Sequence, residues 1–166
     1  MEAAKFELTR ADLRLADIIA QGRDGRMVLI VEVKATELKS REAKQAIISQ
    51  LKSYLQAANT NIPFAMLVDL EDIEIFQGND ATLSAKPIAS FKTMDVLCHY
   101  NAEFGSKRIF QLYLITLVEA WLRDLAYHWK SEKPPASEHL AAIGLLQRLE
   151  GGTTQAEAAL GSNTVY

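Results

Sequence analysis

Leu29-Ile30-Val31-Glu32-Val33-Lys34-Ala35 is the stretch on which the fold turns. Every residue in it is apolar except one acid and one base, two positions apart. Such a run reads as a strand covered on both faces. Period-two alternation puts Glu32 and Lys34 on one face with Val28 and Ile30, and Leu29, Val31 and Val33 on the other. Charges inside a core strand are costly unless something pairs with them or uses them. Glu32 and Lys34 are therefore the residues to explain.

Just upstream, Asp24-Gly25 stands between two apolar runs, which predicts a hairpin with a two-residue type I′ turn. With those two residues as the loop, Arg23 pairs with Arg26, Ile19 with Ile30, Asp17 with Glu32 and Leu15 with Lys34. Asp17 then shares a face with Leu13, Leu15 and Ile19, a second acid on an apolar face. Opposed residues of an antiparallel pair have Cβ atoms about 4.5–5.5 Å apart, and like charges there repel. Two carboxylates and an ammonium gathered on one face suit a divalent cation. The inference depends on register, because a slip of one residue sends Asp17 to the other side. Taken alone, the Glu-Val-Lys triplet is equally an exposed ion pair on an edge strand.

The rest of the chain sets the frame. Its 166 residues suffice for one sizeable core, and 49% apolar with 23% charged residues is an ordinary globular composition. The net charge of −3 gives no global basic field. Residues 1–55 nevertheless carry ten Lys and Arg against eight acids, so positive charge gathers weakly around the candidate site. Cys98 is the only cysteine, which excludes a disulfide framework and points to a reducing, cytoplasmic setting. The opening Met-Glu-Ala-Ala-Lys-Phe-Glu lacks the apolar core of a secretory signal. Ile109 to Leu122 is too short and too interrupted, by Gln111 and Glu119, to span a bilayer.

Residues 2–10 read as a short helix or an irregular lead-in, followed by the hairpin strands Leu13 to Gln21 and Met27 to Thr36. Ser40 caps a helix running to about Asn59, whose apolar face includes Ile47, Leu51, Tyr54 and Leu55. Gln50 shares that face, either as an amide with a backbone partner or pointing into the site. Phe64 to Asp69 reads as a core strand parallel to the one before it, and Ile73 to Phe76 as a half-exposed final strand. The core is thus β-β-α-β-β, an α/β class with a mixed sheet, and Gln77 to Ser90 reads as loop. Beyond it lie a short helix from Met94 to about Glu103, a long one from Ser106 to about Lys130, and a last one from Ser137 to Glu150. The long helix is apolar nearly all round, which calls for burial on several sides and predicts a homodimer through residues 106–130. Three regions follow: a core at 1–90, a helical extension at 91–152 packed on the core or on a partner subunit, and a flexible tail at 153–166.

In order and context, Asp17, Glu32-Val33-Lys34 at a strand end, a helix carrying Gln50 and Tyr54, and the strands at 64–76 resemble the PD-(D/E)XK nuclease superfamily. Within it, residues 12–77 are most similar to the N-terminal nuclease domain of type I restriction enzyme R subunits. The resemblance implies a restriction-endonuclease-like fold and cleavage of DNA, possible roles being restriction or defence. It also implies that Asp17 and Glu32 ligate Mg²⁺ or Mn²⁺ together with the main-chain carbonyl of Val33. Lys34 would position or activate the attacking water, and Gln50 would support the site. Ala16 stands where the family motif has proline. For the glutamate that many members carry on an upstream helix, this chain offers only Glu2 or Glu7.

Other chemistries find little support. His99, His128 and His139 have no metal-ligand spacing, Cys98-His99 lacks an orienting partner, and the eight-residue spacing of Trp121 and Trp129 reads as packing on one helical face. No Gly-x-x-x-x-Gly-Lys-Ser/Thr loop is present, so nothing argues for ATP use. Two functions remain: a metal-dependent nuclease, or a catalytically inactive nuclease-fold module that dimerises or binds a partner.

Overall fold

The computed structural model describes residues 16–36, 38, 40–58, 61–79 and 82–156. The lead-in at 2–10, Leu13, Leu15, Glu2 and Glu7 lie outside them. Strands β1 (Ile18–Gln21) and β2 (Met27–Val33) form the expected antiparallel hairpin. Ile19 pairs with Ile30 and Ile18 with Val31, the register read from the sequence. The turn reaches it by another route. The Gly22 amide donates to the Arg26 carbonyl (2.8 Å) and the Gly25 amide to the Gly22 carbonyl (3.0 Å), so the loop has three residues, Arg23-Asp24-Gly25. Gly25 takes φ +83°, the left-handed region where a Cβ is disfavoured, and the Asp24 carboxylate accepts the Arg26 amide at 3.0 Å. This longer loop offsets the pairing by one, so that Gln21 faces Met27. An irregularity between Ala20 and Gln21 passes over Val28 and restores the offset, because the apolar face of β2 must stay on the core.

Helix α1 (Arg41–Ala57) crosses from β2 to β3 (Phe64–Val68). The Ser40 hydroxyl accepts the Ala43 amide at 3.0 Å, the N-cap expected from sequence. β3 lies parallel to β2, is buried along its whole length, and pairs antiparallel with β4 (Asp72–Asn79). The β-β-α-β-β order is therefore as read. The 77–90 segment is not all loop: β5 (Thr82–Leu83) and β6 (Ala89–Lys92) both pair with β4.

Helices α2 (Thr93–Leu97), α3 (Gln111–Tyr127), α4 (Ser137–Ala142) and α5 (Leu145–Leu149) follow. β7 (Thr153–Ala156) then pairs with β1, completing a seven-stranded mixed sheet ordered β5-β4-β3-β2-β1-β7, with β6 also on β4. Part of the expected tail is thus an edge strand, while residues 157–166 lie outside the description. Pairing with β1 needs backbone groups rather than an apolar run, so Thr153-Thr154-Gln155-Ala156 carries no strong local signal. Gly152 is what lets the chain enter the sheet: a Cβ there would stand 2.0 Å from the Gln21 carbonyl oxygen.

The sheet buries both faces. On one side Leu51, Tyr54 and Leu55 of α1 pack on Ile30, Ala65, Leu67 and Phe76. On the other, Leu114, Val118, Trp121, Leu122 and Leu125 of α3 pack on Leu29, Val31, Met66 and Ile75, joined by Leu140, Leu145 and Leu149 from α4 and α5. Most of the apolar circumference that motivated a dimer is therefore covered by this chain itself. What stays exposed sits at the helix start, Phe110, Leu112 and Tyr113, and at its end, Tyr127 and Trp129 just beyond it.

The helical half differs from expectation at its boundaries. The long helix starts at Gln111 rather than Ser106, because residues 101–106 close into turns, Phe104 N–H to Asn101 C=O and Ser106 N–H to Glu103 C=O. It stops at His128, which adopts the left-handed conformation (φ 54°). Trp129 is consequently off the helix and half-exposed, its indole N–H donating to the Ala120 carbonyl, while Trp121 is buried. Asp124 holds this reversal: its Oδ1 accepts the amides of Lys130 and Ser131 (both 3.0 Å) and its Oδ2 the Tyr100 hydroxyl (2.7 Å). The short helix after β6 spans only Thr93–Leu97, and the last expected helix is split at Gly144 (φ +83°).

Candidate functional site

The site forms where β1 begins and β2 ends, on the sheet face that carries α1. The Asp17 amide donates to the Val31 carbonyl (3.1 Å), extending the ladder by one step. The Asp17 carboxylate Oδ2 accepts the Val33 amide at 2.7 Å. Asp17 stands close enough to Glu32 for its charge to act on that carboxyl. Glu32 is 2% exposed, and among the described residues its Oε1 has no hydrogen-bond partner. Its Oε2 lies 3.6 Å from the Lys34 ammonium. The Lys34 amide pairs with the Val68 carbonyl (2.8 Å), so the strand runs past its last assigned residue and keeps Lys34 on the Glu32 face.

Burial and the neighbouring Asp17 charge push the Glu32 carboxyl up to about 7, against opposing pulls from Lys34 and the Tyr54 hydroxyl. Asp17 is raised as well, chiefly by burial, although the Val33 amide and the Lys34 ammonium favour its charge. A buried glutamate beside a half-buried aspartate, with raised carboxyl pKa values and one glutamate oxygen unpartnered among the described residues, is an arrangement that a cation relieves. The donors are all oxygen, which matches a hard divalent ion completing its shell with water and phosphate. Among the described residues no group of three or more His, Cys, Asp or Glu side chains is placed to hold a metal ion, so the candidate donors there are the two carboxylates and the Val33 carbonyl.

Gln50, assigned a supporting role from the sequence, is exposed on α1. One turn later on that helix, buried Tyr54 reaches Glu32. Gln111, at the start of α3, is the contributor that sequence reading missed. Its Nε2 donates to the Val33 carbonyl (2.6 Å) and its Oε1 accepts the Ala35 amide (2.8 Å). The amide thus stands in for a neighbouring strand past the end of β1 and fixes the carbonyl that is a candidate ligand. Its one sequence signal was a polar residue interrupting an apolar run.

The type I restriction enzyme R protein N terminus (HSDR_N) is the family whose model matches residues 4–91. The chain belongs to this family. The family match ends before α2, so Gln111 and the rest of the helical half lie outside it. No curated protein and no solved structure matches the chain. For this member of the R protein N-terminal family, the matched region holds Asp17, Glu32, Lys34 and Tyr54 together.

A second acidic group, Asp69, Asp72 and Glu74, is accounted for by structure. Asp69 is buried, and its carboxylate accepts the amides of Glu71, Asp72 and Leu38, shaping the turn after β3. Lys44 lies 3.6 Å from Asp72 and 3.2 Å from Glu74, tying α1 to β4. A cavity of about 830 Å³ surrounds the hairpin loop at the opposite end of β2, and none of the site residues lines it. No helix of the described residues is long and apolar enough to cross a membrane.

Proposed function

We propose that this chain is the DNA-cutting module of a restriction system, a divalent-cation-dependent nuclease of the PD-(D/E)XK type with a restriction-endonuclease-like core. The observation that carries the reading is the pairing of Asp17 with buried Glu32, both with carboxyl pKa values raised chiefly by burial, and Lys34 beside them at the strand end. Membership of the R protein N-terminal family supports the restriction context. Asp17, Glu32 and the Val33 carbonyl would hold Mg²⁺ or Mn²⁺, which when bound acidifies a water and neutralises charge on the phosphate.

The chain's own groups do the rest. Lys34, one-third exposed, can reach solvent while its ammonium stays near Glu32. It orients the attacking water and faces the negative charge that builds on the phosphate oxygens. Tyr54 and Gln111 are positioning residues, the first on the Glu32 carboxylate and the second on the Val33 carbonyl. Gln50, a turn before Tyr54, is assigned a supporting contact to water or substrate.

A second reading, a nuclease-fold module that binds a partner or a second copy without cutting, draws on the lack of a third convergent acid among the described residues. Plasmid nicking and thermal melts with and without Mn²⁺ separate the two. The unaltered protein should nick DNA and melt higher with Mn²⁺, Glu32→Gln should lose both effects, and Lys34→Met should keep the melt shift while losing nicking. No nicking and no Mn²⁺ shift in the unaltered protein would retire the nuclease.

A further inference from the structure

Next to the site the described surface carries an unusual combination of groups. Between Glu103 and Glu119 the sequence holds Lys107 and Arg108 and no acid. Phe110 is 63% exposed and Leu112 65%, high values for side chains of this size. The Arg108 guanidinium lies 5.1 Å from the centre of the Phe110 ring and makes no ion pair among the described residues. Lys107 pairs only with exposed Glu103, a surface contact that a phosphate displaces at little cost. Tyr113 is held in place by an Asn101 amide donating to its hydroxyl (2.8 Å). The ledge is therefore cationic and aromatic.

Its position is fixed by Gln111, the residue between Phe110 and Leu112, whose side chain is bonded to Val33 and Ala35. A cavity of about 270 Å³ runs beside it, lined by Ala35 and Leu70 at the ends of the parallel strands and by Phe104, Lys107 and Arg108. That is smaller than the roughly 300–1,000 Å³ of pockets that enclose a small molecule. A shallow cationic trough flanked by an open aromatic face fits a chain of phosphates with bases laid along the surface.

We propose that the 107–113 ledge is a binding track for single-stranded nucleic acid, with Lys107 and Arg108 on phosphates and Phe110 stacked on an unpaired base. An aromatic face can stack on a base only where that base is out of its duplex, so the track selects single-stranded or frayed DNA. The proposal deepens the nuclease reading of Asp17, Glu32 and Lys34 and rests on it for the choice of ligand. The ledge lies outside the residues of the family match, so it is a feature of this chain's own helical half.

Fluorescence anisotropy of a labelled DNA oligonucleotide, single-stranded and then annealed to its complement, tests the track without requiring cleavage. Single strands should bind more tightly than duplex. Phe110→Ala should weaken single-strand binding roughly ten-fold, as loss of one base-stacking contact does. Arg108→Ala should reduce the slope of log K against log salt by about 0.7, as one fewer phosphate contact does for single strands. Phe110 and Arg108 are exposed, and far-UV circular dichroism checks that both variants fold. Unchanged binding in both ledge variants overturns the proposal. So does a dimer by sedimentation that Phe110→Ala dissociates, which would give the ledge to a second copy of the chain. Phe110-dependent binding with no cleavage under Mg²⁺ supports the track and sinks the nuclease; cleavage untouched by Phe110→Ala does the reverse.

Discussion

Glu32→Gln is the substitution with the most informative energetics. In the folded chain burial and Asp17 hold the Glu32 carboxyl near 7, against an ordinary value of 4.5. Its pKa is raised on folding, so the stability it contributes is fully present below about pH 4.5 and is lost as pH rises through 7. A difference of this size corresponds to about 3 kcal/mol in total, most of which falls between pH 5 and pH 8. Glutamine keeps the shape and cannot ionise. Its amide can donate to Asp17, while Lys34, one-third exposed, turns to water. In EDTA, urea unfolding of the two proteins should give a stability difference that moves by about 2–3 kcal/mol in favour of the glutamine variant between pH 5 and pH 8. At roughly 2–4 °C per kcal/mol for a chain of this size, that is about 5–10 °C in Tm. Parallel pH curves, the gap the same at pH 5 and pH 8, would refute the account of a buried acid destabilised by its own charge.

Gln111→Ala should cost about 1–3 kcal/mol, since it orphans the Val33 carbonyl and the Ala35 amide, and amide exchange should speed up at Ala35; unchanged exchange would count against the clamp. Asp124→Ala should cost about 2–4 kcal/mol by removing the acceptor of Tyr100, Lys130 and Ser131, where Tyr100→Phe should cost about 1. Burial disfavours the Asp124 charge, but the Tyr100 hydroxyl and the two amides outweigh it and lower its pKa. That stability should be present above about pH 4 and disappear as pH falls further, so Asp124→Asn should flatten the acid limb of a pH-stability curve. Deleting residues 153–166 should lower Tm well beyond what Thr154→Ala does, because it strips β7 from β1; equal melts for both variants would show β7 to be dispensable.

The sequence by itself determined the elements whose signals are local. The run at 29–35 made a buried strand, Ser40 made a cap, and the apolar face with Tyr54 told which side of α1 would meet the sheet. The same reading placed Glu32 and Lys34 on one face, because period two is a property of the strand alone, whereas Asp17 joins them only through the register of the hairpin. Even there the structure chose a three-residue loop and a compensating irregularity at Val28, for the core decides which face must be buried and the turn adapts. What only the tertiary structure decided is what depends on distant residues. Gln111 serves a strand end 78 positions earlier, and Thr153–Ala156 becomes a strand only because β1 leaves an edge to pair with. The apolar helix that looked like a dimer surface finds most of its cover in its own sheet and in α4 and α5. Such pairings follow from which surfaces meet after the chain has collapsed, and no window of neighbouring residues contains that information.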